Sequence, residues 1–335
     1  SFHVTGVQTC ALPISANNLG ERTRLACSFW RLAKNKKKKE HNMELMGIAD
    51  EASPSIDGQI RATKELGWES IEARFVEVDG FEKGSIHDIP DAAFDIVAAK
   101  LEEAGVGIYA FGSTICNWAK TIETPWDVTV TEIDRAIPRM QRLGTKYVRI
   151  MSFKPADNAD KTPELVFERL REVTQRFLDE GLQPVHENCM NHGGMSWQHG
   201  VELLEKVPGL KWVFDTANPI FNADRSKPQP WPKQDPWEYW QNVREHTAHI
   251  HVKDCTWVDE KNDADYNFPG EGQGRVRDIL RDALANGYDA GISIEPHMAV
   301  VFHDADSEAN EDDMFNNYVE YGRRLESLIA EIQPS

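Results

Sequence analysis

The chain alternates eight short apolar runs with segments of helical period, and this alternation limits the folds open to it. Segment 163–179 is typical of the helical segments, because its Leu, Val and Phe residues recur at intervals of three and four. Glycines stand between a helical segment and the next run, where a left-handed helix C-cap belongs. The runs are 45–49, 70–73, 107–111, 147–151, 182–188, 211–215, 248–253 and 291–295, and the glycines are Gly67, Gly105, Gly144, Gly181, Gly209 and Gly287.

Eight such units predict an α/β fold, a closed (β/α)8 TIM barrel in a single domain. The runs are short and largely apolar, as expected for strands that are covered on both faces. A doubly wound open sheet is the alternative, but no Gly-x-Gly-x-x-Gly follows the first run. Segment 307–332 is predicted to be an acidic amphipathic helix that closes the ring.

The first 42 residues differ from the rest of the chain. Residues 4–15 resemble the conceptual translation of a short-read sequencing adapter, and a lysine-rich stretch, 34–42, leads to Met43. We expect translation to begin at Met43, so that 1–42 is a non-native, disordered leader and 43–335 is the barrel. A genuine basic arm is the alternative.

The charge of the chain disfavours nucleic-acid and membrane partners. The sequence has 37 Lys and Arg against 55 Asp and Glu, a net charge of −18. Eight of the basic and two of the acidic residues lie in 1–42. Residues 43–335 therefore hold 29 basic and 53 acidic residues, a net charge of −24. Such a surface repels phosphate backbones and anionic lipids, and no apolar run approaches the ~20 residues of a membrane helix.

Cysteine usage favours a reducing compartment. Beyond residue 42 the chain holds only Cys116, Cys189 and Cys255. An odd number without a CxxC pair or an export signal predicts a cytoplasmic protein rather than a disulfide scaffold.

Four polar residues close four successive runs. They are Glu187, Asp215, His251 and Glu295. In a parallel barrel the ends of these strands converge, and three carboxylates with one imidazole are too acidic to bury without a cation. The oxygen and nitrogen donors predict one divalent metal ion, with Mn²⁺ favoured and Mg²⁺, Co²⁺ or Zn²⁺ as alternatives.

Further polar residues are candidates for acid–base chemistry or substrate contact. His249 and His297 share a side of their strands with His251 and Glu295 respectively, whereas His186 is expected to face away from Glu187. The candidates for proton transfer are His297 and His192, and those for substrate binding are His249, Asn218, Lys253, Glu72 and Trp231. For Glu72 an ion pair inside the barrel is the alternative, and His249 and His297 are also candidates for contacts that support the metal ligands. For Trp231, in the long proline-rich loop 222–239, packing against the barrel wall is the alternative. A second long loop, 255–274, follows the seventh run.

Several motifs together resemble those of the sugar phosphate isomerase/epimerase superfamily, which has the xylose-isomerase-like TIM barrel. They are Gly-Ile-Ala-Asp-Glu at 47–51, His-Glu-Asn at 186–188, Phe-Asp-Thr-Ala-Asn at 214–218, His-Ile-His-Val-Lys-Asp at 249–254, Pro-Gly-Glu-Gly at 269–272 and Ile-Glu-Pro-His at 294–297. The resemblance implies that Glu187, Asp215, His251 and Glu295 bind one divalent ion. It also implies that Glu187 and Glu295 exchange the substrate proton, as their counterparts do in the ketose epimerases of the family.

The resemblance implies an isomerase or epimerase that acts on a keto sugar, or a derivative of one, by proton abstraction through a metal-stabilised enediolate. Ketose epimerases often carry a histidine where this chain has Asn218, which leaves room for other reactions. The alternatives are a lyase, hydratase or deglycosylase acting on 3-keto sugars or glycosides, and a non-catalytic sugar-binding barrel. The expected partner is a small carbohydrate, in a chain that could also form a homo-oligomer.

Overall fold

Eight parallel strands follow the eight apolar runs of the sequence. The computed structural model describes residues 43–298 and 310–333, so the predicted leader 1–42 lies outside the described residues. The strands of the main sheet are β1 (Glu44–Gly47), β2 (Ser70–Ala73), β3 (Gly107–Phe111), β4 (Tyr147–Ile150), β5 (Gln183–Glu187), β6 (Lys211–Asp215), β7 (Thr247–Val252) and β8 (Gly291–Ile294).

The strands curl into a barrel. Their order in the sheet is β1, β8, β7, β6, β5, β4, β3, β2, and all these pairs are parallel. A parallel bridge between Ile48 and Glu72 then joins the end of β1 to β2. The TIM barrel prediction is confirmed, and the doubly wound open sheet is wrong.

Helices cover the outside of the barrel. They are α1 (Ile56–Glu65), α2 (Asp91–Ala104), α3 (Trp126–Leu143), α4 (Glu164–Asp179), α5 (Trp197–Lys206), α6 (Pro236–Val243), α7 (Val276–Ala285) and α8 (Glu311–Ile332). Helix α4 corresponds to the predicted segment 163–179 and fully buries Val166, Leu170, Val173 and Phe177. All six predicted capping glycines have positive φ.

Two β-hairpins extend from the barrel. One pairs Phe75–Val78 with Phe81–Ser85, and the other pairs Asp254–Val258 with Asp263–Asn267. The second hairpin occupies most of the predicted loop 255–274, for which the sequence analysis predicted no strands. Across residues 43–298 and 310–333, we find no helix long and apolar enough to span a membrane.

Helix α8 packs closely on the end of β1. It buries Tyr318, Tyr321 and Leu325 almost completely, and Gly47 leaves space for the Tyr318 ring. A Cβ atom on Gly47 would overlap the Tyr318 hydroxyl and would lie 2.6 Å from Cγ1 of Ile294. The glycine therefore permits the contact between the first strand and the last helix.

Replacing Gly47 by alanine is expected to lower the free energy of unfolding by about 1–3 kcal/mol, because the methyl group overpacks this contact. Urea denaturation of the full chain measures the change. The control is Gly107→Ala, another strand glycine, whose added Cβ would meet only Ser70 Oγ at 3.2 Å and Glu69 O at 3.8 Å. Equal stabilities of the two variants would contradict the packing argument.

Candidate metal centre

The four predicted metal ligands come together at the carboxyl ends of the strands. Glu187, Asp215 and His251 lie on β5, β6 and β7, and Glu295 directly follows β8. Each offers one ligand atom, and these atoms all lie within 4.8 Å of one another. None of the four residues is more than 4% exposed. Sequence spacing and strand order thus bring these four residues together, and their role as metal ligands stays a prediction.

The Asp215 carboxylate is oriented by the start of the next turn. Its Oδ1 accepts hydrogen bonds from the backbone N–H groups of Ala217 (2.9 Å) and Asn218 (2.6 Å). Asn188 also clamps the strand end, since its amide donates to Asp215 O at 2.9 Å and accepts from Asp215 N at 2.8 Å. Among the described residues, Asp215 Oδ2 has no hydrogen-bond partner, although Lys253 Nζ lies 3.2 Å away.

Two neighbours hold the Glu187 carboxylate. The Asn218 side chain donates to Oε1 at 2.8 Å, and the Arg149 guanidinium donates to Oε2 at 2.9 Å. Arg149 is 5% exposed and also donates to the carbonyl of Gly112. It therefore neutralises a carboxylate of the cluster.

Glu295 lies between two cationic side chains. Lys253 Nζ is 3.1 Å from its Oε2, and Arg74 Nη1 is 3.1 Å from its Oε1. Burial opposes the ionisation of Glu295, but Lys253, His297 and Arg74 hold its pKa well below the usual range. Glu295 is thus a carboxylate at neutral pH.

Lys253 joins two of the predicted ligands through its ammonium group, since it contacts both Asp215 and Glu295. Burial works against the charge, but these two carboxylates hold the pKa of Lys253 well above its usual value. Burial also raises the pKa of Asp215 to about 7, against the attraction of Lys253. The raised pKa of Lys253 means that its ammonium group stays positively charged at neutral pH.

The His251 ring presents one nitrogen to the carboxylates. Its Nδ1 is 3.9 Å from Glu187 Oε2 and 3.9 Å from Glu295 Oε2, and it has no hydrogen-bond partner within the described part of the chain. The other nitrogen, Nε2, lies 2.9 Å from Glu72 Oε2. Burial disfavours the imidazolium, but Glu72, Glu187 and Glu295 raise the pKa of His251 to about 9.

Glu72 and His249 lie deeper in the barrel. Both are fully buried, and His249 Nε2 is 2.8 Å from the same Glu72 oxygen that His251 contacts. His249 Nδ1 lies 3.0 Å from the carbonyl of Gly291, and a neutral ring donates either to this carbonyl or to Glu72, since both are acceptors. The predicted contact of Glu72 and His249 with substrate stays a prediction, because in the structure these two residues contact each other and His251, and His249 also contacts Gly291.

The residues present fit a divalent cation. Around the cluster, six buried carboxyl groups face four buried side chains that are cationic at neutral pH: Asp50, Glu51, Glu72, Glu187, Asp215 and Glu295 against Arg74, Arg149, Lys253 and His251. An excess of buried negative charge requires a cation. His251 Nδ1 and Asp215 Oδ2, both buried and without hydrogen-bond partners in the described residues, are donors of the kind that Mn²⁺, Mg²⁺ or Zn²⁺ binds.

His297 stands beside Glu295 and is held by Glu51. The Glu51 carboxylate contacts His297 Nδ1 at 2.8 Å and accepts from its backbone N–H at 2.7 Å. The other ring nitrogen, Nε2, is 3.9 Å from Glu295 Oε1. His297 has a φ of 52°, a left-handed conformation that is uncommon outside glycine. The predicted acid–base histidine thus lies at the edge of the cluster.

The other predicted residues lie outside this cluster. His192 is buried in a short turn, where desolvation lowers its pKa to about 4. Trp231 is half-buried and packs on the Arg225 guanidinium, 4.8 Å from the ring centre. His186 faces away from the ligands, as expected, and packs at 4.9 Å on the Trp212 ring. Roles of His192 and Trp231 toward substrate stay predictions.

Sequence reasoning missed the residues that hold the site together. These residues are Asn188, Glu51 and Asp254, which occur within the quoted motifs but were assigned no role. Asp254 accepts hydrogen bonds from four backbone amides, and three of them belong to the glycines of the segment after the second hairpin: Cys255, Gly270, Gly272 and Gly274. A carboxylate followed by closely spaced glycines was the available signal for this loop anchor.

A family model described as xylose isomerase-like TIM barrel matches residues 60–314. The match spans most of the chain and the region of the cluster. The chain belongs to this family. Among curated protein sequences, none matches it significantly.

Solved structures support the fold of this family member. A xylose isomerase-like TIM barrel protein from Mycobacterium smegmatis in complex with magnesium is 16% identical, with a TM-score of 0.59 over 86% of this chain and 97% of that chain. A D-tagatose 3-epimerase-like protein is 14% identical, with a TM-score of 0.62 over 87% of this chain and 98% of that chain. The probable 3-DHS dehydratase AsbF from Bacillus anthracis is 15% identical, with a TM-score of 0.58 over 82% and 97%.

Metal affinity is expected to rise with pH. A metal-bound His251 must lose its Nδ1 proton, and its pKa of about 9 means that this proton is present at neutral pH. The Kd for Mn²⁺ should therefore fall as the pH rises from 7 to 8.5, and binding should release protons. Isothermal titration calorimetry in buffers of different ionisation enthalpy measures both quantities. A Kd independent of pH would contradict the assignment of Nδ1 as a ligand.

Proposed function

We propose that the protein is a divalent-metal-dependent isomerase or epimerase that acts on a keto sugar or a derivative of one. The observation that carries the proposal is the position of two glutamates. Glu187 and Glu295 lie in one cluster, each 3.9 Å from the same His251 nitrogen. Two carboxylates beside a single cation site suit the removal of a proton and its return from another direction.

Glu187, Asp215, His251 and Glu295 would hold the ion, with Mn²⁺ or Mg²⁺ suited to the three oxygen donors. When bound, the ion supplies Lewis-acid polarisation of a substrate carbonyl, which acidifies the neighbouring C–H. The Lys253 ammonium, fixed between Asp215 and Glu295, adds a second positive charge to the cluster.

The proton transfer is assigned to the glutamates. One carboxylate, Glu187 or Glu295, takes the proton from the carbon next to the carbonyl and leaves an enediolate. Return of a proton to the opposite face of the same carbon gives an epimer, and return to the neighbouring carbon gives an aldose–ketose isomer. Asn218 and Arg149 fix the orientation of Glu187, while Arg74 fixes that of Glu295.

A second candidate function is elimination, as in a lyase, hydratase or deglycosylase. It is favoured by the Glu51–His297 pair, which places an imidazole 3.9 Å from Glu295 Oε1. An imidazole held by a carboxylate can protonate a leaving hydroxyl or aglycone after a neighbouring carboxylate has removed the proton. Replacement of His297 by Asn should then lower the rate at which water or the aglycone is eliminated more strongly than the rate at which the substrate proton exchanges with solvent.

Incubation of the full chain with Mn²⁺ in D₂O distinguishes these reactions. Ketohexoses and 3-keto-glucosides are the test substrates, and mass spectrometry reads the products. Gain of deuterium without change of composition supports an isomerase or epimerase, whereas loss of water or release of the aglycone supports elimination. Metal-independent sugar binding without either change would indicate a non-catalytic barrel and would overturn the proposal.

Replacing Glu295 by Gln is expected to lower kcat by about 10²-fold or more, because the amide neither removes a proton nor binds the cation as well. Turnover is measured at saturating Mn²⁺, and bound metal is quantified in the same sample. Glu271→Gln is the control, since Glu271 is a surface residue paired with Arg324. Near-wild-type turnover of a metal-replete Glu295→Gln enzyme would rule out this glutamate as the base.

A further inference from the structure

Glu72 crosses the interior of the barrel from β2 to β7, two strands that are not neighbours in the sheet. A single oxygen, Oε2, lies 2.8 Å from His249 Nε2 and 2.9 Å from His251 Nε2. All three residues are fully buried. The side chain therefore connects the predicted metal ligand His251 to the opposite wall of the barrel.

The second oxygen of Glu72 shows that this arrangement is costly. Among the described residues, Oε1 is buried without a hydrogen-bond partner. Gly112 passes close to it, since a Cβ atom at that position would lie 3.5 Å from Oε1. A buried carboxylate with an unsatisfied oxygen requires an explanation beyond stability.

We propose that Glu72 is a positioning residue for the metal centre: it fixes His251 with Nε2–H bound to the carboxylate and the Nδ1 lone pair directed at the cation. The inference rests on the proposed metal site. A carboxylate that accepts from the distal nitrogen of a metal-bound histidine sets its tautomer and ring orientation and makes it a stronger donor.

His249 supports the same geometry. Its Nε2 lies 2.8 Å from Glu72 Oε2, and its ring meets the His251 ring edge-on with centres 5.1 Å apart. With the ring proton on Nε2, His249 donates to Glu72 and holds that oxygen in place beside His251. In this arrangement neither Glu72 nor His249 needs to contact the sugar, which corresponds to the alternatives of an interior ion pair for Glu72 and of a supporting role for His249.

Glu72→Gln is the sharpest test. The amide keeps the side-chain volume and one acceptor oxygen for His251 but removes the negative charge. The Kd of the full chain for Mn²⁺, measured by titration calorimetry, is expected to rise about 10–100-fold. A Kd within twofold of wild type in a folded variant would overturn the inference.

Glu132→Gln is the matched control. Glu132 is also a buried carboxylate beside a histidine, with Oε1 3.6 Å from His87 Nε2, and it lies outside the cluster of Glu187, Asp215, His251 and Glu295. Urea denaturation of both metal-free variants compares their stabilities. Similar losses of stability with weaker metal binding only in Glu72→Gln separate positioning from a general structural role. Equal weakening in both variants would contradict positioning.

A measurement on the wild-type chain avoids any dependence on folding of the variants. In ¹⁵N spectra of the Zn²⁺-loaded protein, His251 should carry its proton on Nε2 and none on Nδ1. A proton on Nδ1 would overturn the inference while leaving metal binding intact. If the wild-type chain binds neither Mn²⁺ nor Zn²⁺, the proposed function itself fails, and this result is distinct from a failure of Glu72 alone.

Discussion

Balance of buried negative charge is the constraint on which the centre of this barrel depends. Four of the carboxylates, Glu72, Glu187, Asp215 and Glu295, are at most 4% exposed. Burying an unpaired carboxylate costs several kcal/mol or more, so each needs a compensating partner. Arg74, Arg149 and Lys253 supply part of the compensation, and a divalent cation is suited to supply the rest. The composition of the site thus follows from electrostatics before any reaction is considered.

The contacts that compensate the negative charge of these carboxylates also fix the orientation of the carboxylate groups. Arg149 and Asn218 bind the two oxygens of Glu187 separately, which fixes the plane of that carboxylate. Asp215 uses one oxygen to cap the following turn, and the other faces Lys253. A group held in this way loses little conformational freedom when a cation or a substrate binds, which favours preorganised binding.

Much of the fold was predictable because two local signals in the sequence were strong: the short apolar runs and the glycines that precede them. The eight apolar runs marked all eight barrel strands, and the glycines marked the turns before them, because a left-handed residue without a Cβ atom has little strain. The hairpin at Asp254–Asn267 was missed. Its strands are short and alternate polar with apolar residues, and the apolar side chains of Cys255, Ala264 and Tyr266 pack in one small cluster with Phe221. The alternation was present in the sequence but lay within a segment interpreted as a long loop.

The sequence by itself determined the barrel and the convergence of four polar residues, Glu187, Asp215, His251 and Glu295, since parallel strands with a polar residue at each carboxyl end leave one place for them to meet. Only the tertiary structure decided which partner each of these residues has. The contacts of Glu72 with His251, of Glu51 with His297 and of Arg74 with Glu295 join residues more than 170 positions apart. Such contacts depend on how the barrel closes and on the side-chain orientations within it, which local periodicity does not encode.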